Sequence, residues 1–203
     1  MSLKPQPHGN HFNWSNANYV REIPFICEVP RFPKAFCEPG WSLHMKSRSC
    51  FFLITLELNF HNAAMKCRSL SSNLASINDA TENDLALKMI EKLKPATKVW
   101  FGLRWNAAKS NDAAIPPKTP YDKFYKYFIE NMAYNVDGTP VSSYHYFDTA
   151  TQPDGWRENI VENCVLYETD TRKWHDYNCV DRLASSLCRK MASTQPYKYG
   201  NSP

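Results

Sequence analysis

Seven cysteines, at positions 27, 37, 50, 67, 164, 179 and 188, constrain this 203-residue chain more than any other feature. Two assignments are open for them: buried free thiols, or disulfides made in an oxidising compartment. So many cysteines in a chain of this size favour disulfides. No CxxC pair occurs, so the usual zinc-ribbon and thioredoxin spacings are absent. The opening MSLKPQPHGN lacks the apolar stretch of a secretion signal. A disulfide-forming chain without a leader reads as a fragment or an incomplete gene product.

The cysteines are not the only means of holding a fold. At roughly 150 residues per domain the length suits one to one and a half domains, enough to bury a real core. Hydrophobic residues make up 43% and charged residues 22%, which is ordinary globular usage and excludes disordered, collagenous and coiled-coil chains. The longest nearly apolar stretch, Cys50 to Leu56, falls far short of the roughly 20 residues that cross a bilayer, so no membrane insertion is expected. The net charge of +4 is spread along the chain, which argues against a nucleic-acid footprint.

Residues 28–40 hold three prolines and read as connecting chain, with 31–36 as the linker proper. Cys50 to Phe60 reads as a strand. Residues 60–70 read as a helix, with Ala64, Cys67 and Leu70 near one face. A second helix starts at Asp79 with Glu82 three residues on, a pattern like a capping box. Its stripe is Leu85, Met89 and Leu93, widened by Ile90, and Pro95 ends it. Val99 to Leu103, Asn163 to Tyr167 and Ser186 to Arg189 read as strands. Residues 106–131 have no clean period and read as a long insertion, and loops of that length are usually functional or mobile. Asp137-Gly138-Thr139-Pro140 is a turn signal. Residues 191–203 read as a disordered tail.

Trp14 precedes Cys27 much as Trp174 precedes Cys188. This echo suggests that residues 12–29 are the last hairpin of an earlier copy of the same domain, the alternative being coincidence between two aromatic segments. Residues 1–30 are then a remnant of a preceding domain or an N-terminal extension, and 37–190 the main domain.

No GxSxG, HExxH or P-loop pattern occurs, so catalysis is not expected. His8 and His11 form an HxxH pair that suits a solvated tail better than a metal site. Asn13-Trp14-Ser15 is an N-glycosylation sequon. Gln152-Pro153-Asp154 taken alone is an ordinary turn tripeptide. Trp156, in the polar run DGWREN, suits exposure, with core packing as the alternative.

Taken together, Cys67, Val99-Trp100-Phe101-Gly102-Leu103, Asp137-Gly138-Thr139-Pro140, Gln152-Pro153-Asp154, Glu162-Asn163-Cys164, Trp174-His175-Asp176, Cys179 and Cys188 resemble a C-type lectin-like domain in order and spacing. The resemblance covers about 37 to 190 and departs mainly at the insertion. It implies an α+β fold with two helices flanking small antiparallel sheets, stapled by Cys67–Cys188 and Cys164–Cys179. Cys37–Cys50 is similar to the extra hairpin bridge of the family's long form. Cys27 is left unpaired and available for an intermolecular bridge.

The resemblance also implies a calcium ion held by Gln152, Asp154, Glu162 and Asp176, since calcium takes hard oxygen donors. Pro153 is suited to a cis bond that turns both neighbouring side chains one way. The QPD order resembles that of galactose-type members. The implied partners are therefore galactose or N-acetylgalactosamine glycans and glycoproteins, bound by Gln152, Asp154, Trp156, Glu162 and His175. His175 departs from the pattern, because it stands where the family carries an asparagine and imidazole is not a calcium ligand. Its protonation in mild acid would oppose the ion. A second calcium site lacks the acids it would need at Gly155 and Asn163. The resemblance implies a secreted or extracellular place. The alternative is a lectin-like domain that binds proteins without calcium or sugar.

Overall fold

The computed structural model describes residues 2–5, 12–15, 34–93, 97–106, 132–148, 152–153, 156–157 and 160–194. The linker residues 31–33, the insertion at 107–131, Cys27, Asp154 and the tail beyond 194 lie outside them.

The fold is α+β. In chain order the elements are β1 (Ser2–Pro5), β2 (Phe12–Ser15), β3 (Ala35–Phe36), β4 (Ser42–His44), β5 (Ser49–Leu58), α1 (Phe60–Arg68), β6 (Asn73–Leu74) and α2 (Ala80–Ile90). Then come β7 (Lys98–Trp105), β8 (Ala133–Asn135), β9 (Trp156–Arg157), β10 (Ile160–Val161), β11 (Cys164–Glu168), β12 (Lys173–Tyr177), β13 (Ala184–Met191) and β14 (Ser193–Thr194). The main sheet runs β12-β11-β7-β13-β5-β4, with β6 added to β13 and β8 to β7.

Side chains on a strand alternate between its faces, and here both faces are covered. Val99, Phe101, Val165, Tyr167 and Leu187 pack with Ala86 and Ile90 of α2. Trp100, Cys164, Leu166 and Cys188 pack with Phe60, Ala63 and Cys67 of α1. That double burial is why the central strands read as continuous apolar runs rather than alternating ones.

The helices begin where their caps dictate. Asn59 accepts from the Asn62 amide at the start of α1. Asp79 accepts from the Thr81 and Glu82 amides at the start of α2, while Glu82 reaches back to the Asn78 amide at 2.8 Å. Two details depart from the sequence reading. The buried positions of α1 are Phe60, Ala63 and Cys67, with Ala64 and Leu70 at the margin. In α2 the buried face is Glu82, Asn83, Ala86 and Ile90, and the helix ends at Ile90 rather than near Pro95. The polar pair is tolerated there because each finds a partner: Arg189 sits 3.0 Å from the Glu82 carboxylate, and Trp174 Nε1 donates to Asn83 at 3.2 Å.

Three disulfides, Cys37–Cys50, Cys67–Cys188 and Cys164–Cys179, form the implied pairings. Ala35–Phe36, expected in the linker, pairs with Ser193–Thr194, expected in the tail, and Met191 still belongs to β13. Short strands distant in sequence gain their hydrogen bonds from each other, which no local pattern announces. At the N-terminus the hairpin is Ser2–Pro5 against Phe12–Ser15, a pairing not anticipated from the echo between residues 12–29 and the C-terminal hairpin.

Candidate functional site

The Asp137–Pro140 signal folds as a turn. Gly138 takes φ +78°, a region that favours glycine. Asp137 accepts from the Thr139 amide at 3.0 Å and its hydroxyl at 2.7 Å. The insertion leaves and returns at one point, since the Asn106 amide donates to the Met132 carbonyl at 3.0 Å.

From this turn the chain runs along the outer edge of β12. The Trp174 amide donates to the Tyr146 carbonyl at 3.0 Å, and Phe147 forms a bridge to Trp174. The Trp174 ring is held by edge contacts from Phe101, Tyr144 and Phe147 with centroids 5.6, 5.9 and 5.6 Å away. Next, the Gln152 amide donates to the Asp148 carbonyl at 2.7 Å, and the Gln152–Pro153 peptide is cis. The Gln152 side-chain oxygen then accepts from the Asp176 amide at 3.3 Å. Covering an exposed sheet edge thus also brings two of the four candidate ligands together.

Asp176 pairs with Val165 in register and is 2% exposed; Glu162, two residues before β11, is 6% exposed. The chain around Glu162 is fixed by the Trp105 amide, which donates to the Asn163 carbonyl at 3.3 Å. β9 and β10 form a small hairpin where a loop was expected, and its register sets Trp156 opposite Val161, the residue before Glu162.

His175 does not join this group. It pairs with Leu166, on the α1 side of the sheet, whereas Trp174 and Asp176 pair with Tyr167 and Val165 on the α2 side. Its Nε2 lies 2.8 Å from the Thr171 hydroxyl and 3.7 Å from Glu168. Glu168 is the centre of a polar cluster that sequence reasoning missed: it pairs with Lys98 and accepts from the Tyr177 hydroxyl at 2.5 Å. Adjacent strand residues point to opposite faces, and recognising β12 as a strand would have separated His175 from Asp176.

The donor set fits calcium by chemistry: an amide oxygen and two carboxylates among the described residues, with the His175 imidazole turned to the other face. Among the described residues, no group of three or more His, Cys, Asp or Glu is gathered as a metal cluster.

The Lectin C-type domain family model matches residues 56–190, and the chain belongs to that family. It is 30% identical over 149 residues to lectin BRA-2 of Megabalanus rosa, covering 72% of this chain and 66% of that protein. It is 20% identical over 188 residues to lymphocyte antigen 75 of Homo sapiens, covering 87% of this chain and only 9% of that much longer protein. Among solved structures, the SPL-1–GlcNAc complex superposes with a TM-score of 0.56 at 20% identity, covering 77% of this chain and 96% of the other, a likeness of fold alone. The family model is that of a lectin domain, and the Megabalanus rosa relative is itself named a lectin. Among the described residues no helix is long and apolar enough to cross a membrane.

Proposed function

We propose that this domain binds carbohydrate through a calcium ion held by Gln152, Asp154, Glu162 and Asp176, with galactose-type selectivity. The observation that carries this reading is the contact between the Gln152 side-chain oxygen and the Asp176 amide. It joins the QPD segment to the acidic strand end, with a second buried carboxylate at Glu162.

Bound there, calcium supplies coordination positions for two vicinal sugar hydroxyls. The chain's own residues set the hydrogen bonds around them. The Gln152 amide donates to one hydroxyl, and Asp154 and Glu162 accept from the pair. Trp156 offers a flat aromatic face to the apolar side of galactose. His175 is left out of this set, because its ring is engaged on the other face of the sheet. A single shallow site of this kind binds a monosaccharide weakly, around millimolar or about −4 kcal/mol. Useful avidity then comes from several copies, and Cys27 offers one covalent route to them. The three disulfides suit an extracellular place.

A second reading is a lectin-like domain that binds proteins without calcium. The orientation of His175 favours it, because that position contributes no oxygen to an ion. Retention on immobilised galactose and on immobilised mannose, with calcium and with chelator, separates the two. Galactose-only retention released by chelator supports the site as given. Failure on both resins, with no calcium-induced rise in melting temperature, leaves the protein-binding reading.

A further inference from the structure

Two guanidinium groups among the described residues are anchored by anionic or hydroxyl partners. Arg189 bonds Glu82, Ser49 and Ser76, and Arg172 bonds Glu91. Arg104 does not. Its Nε is sealed from solvent without a hydrogen-bond partner, and no described residue bonds or ion-pairs with the guanidinium. Two rings hold it instead: Phe60 at 5.2 Å and Tyr134 at 5.9 Å from their centroids. The strand register fixes this clamp, since Arg104 faces Tyr134 on β8 and Cys164 on β11.

The Phe60 ring belongs to the first residue of α1, so the guanidinium lies on the side of the sheet that α1 covers. The first turn of α1 contains no acidic residue to neutralise it. A planar guanidinium with its stem fixed by aromatic packing has little freedom left to lose, which suits it to binding an oxyanion through parallel N–H bonds. Tyr134 borders the group and is 42% exposed, giving a flat ring against which a sugar's C–H face can lie.

We propose that Arg104, clamped between Phe60 and Tyr134, is the anion-binding element of a second site, which takes the acidic group of a sulfated or carboxylated sugar. This site lies on the α1 side of the sheet. It uses none of Gln152, Asp154, Glu162 and Asp176, and it needs no calcium, so it stands whether or not the galactose-type reading does.

The test is an NMR titration of the full chain in chelator with galactose 6-sulfate, galacturonate, galactose and tetra-aspartate. At least one acidic sugar saturates the Arg104 and Tyr134 region, whereas galactose does not. Arg104→Gln weakens that binding about tenfold, the usual scale for losing a charge-assisted hydrogen bond. Tyr134→Ala, at an exposed position, weakens it while leaving the fold intact, and decides the matter if Arg104→Gln does not fold. Saturation by the sulfate alone assigns a sulfate ester as the recognised group, and by galacturonate alone a uronic acid. The proposal is overturned if neither acidic sugar binds, if both variants bind as the parent does, or if tetra-aspartate binds as tightly as the sugars.

Discussion

Asp79 shows how one carboxylate sets the start of a helix. Its Oδ1 accepts from the Thr81 and Glu82 amides at 2.8 and 2.9 Å, and Lys46 donates to Oδ2 at 2.7 Å. The Lys46 bond, aided by Thr81, holds its carboxyl well below the ordinary carboxylate range. A carboxyl depressed in the folded state stabilises above its unfolded value, near pH 4, and that contribution is lost as pH falls below it. The side chain is 34% exposed, so solvent screening keeps the charge term small. Asp79→Asn retains a capping oxygen and removes the charge. It should melt within about 1 kcal/mol of the parent at neutral pH. The gap should begin to narrow below about pH 4 and go on narrowing as pH falls toward the depressed folded value, as followed by melting temperature. A gap that persists undiminished in acid would mean that the charge is not its source. This cap was legible because Asp and Glu three apart announce it locally. The orientation of His175 was not: the sequence lists it beside Asp176, and only the strand geometry of β12 sends the two side chains to opposite faces.

Among the elements, β7 is tightly packed on both sides. It is hydrogen-bonded to β11 on one side and β13 on the other, and a Cβ added at Gly102 would lie 2.5 Å from the Leu74 carbonyl oxygen. The obstruction is backbone, held in place by the Gly102 amide donating to the Ala75 carbonyl at 2.8 Å. It cannot swing aside as a side chain would. Gly102→Ala should therefore destabilise by about 1–3 kcal/mol, the usual cost of overpacking. At about 2–4 °C per kcal/mol for a chain of this size, differential scanning calorimetry resolves that loss. An unchanged melting temperature would show that β6 can move away from β7. The long buried strands were readable because burial on both faces makes their sequences continuously apolar. β12 was not, because His175 and Asp176 are polar yet buried. The pairing of β3 with β14 was hidden for a related reason: its two halves lie more than 150 residues apart and are two residues long each.

At the scale of the whole molecule, the proposed site lets two disulfides divide stability from binding. Cys67–Cys188 joins α1 to β13 across a separation of 121 residues, whereas Cys164–Cys179 closes only 15. All four cysteines are buried, so the packing lost on removing either pair is similar. On the loop-entropy account the long bridge constrains the unfolded chain by about 2 kcal/mol more than the short one. The short bridge, however, anchors the stretch that carries Glu162 on one side and Asp176 on the other. Replacing Cys67 and Cys188 with alanine should therefore lower the melting temperature more than replacing Cys164 and Cys179. In any folded fraction of the long-bridge variant, calcium-dependent retention on galactose resin should survive. The short-bridge variant should keep more of its stability and lose that retention, because two of the proposed ligands are no longer held in register. Circular dichroism melts and resin retention of the two double variants read these quantities separately. Equal loss of retention in folded protein from both would place control of the site in the domain as a whole, not in the loops around Cys164 and Cys179.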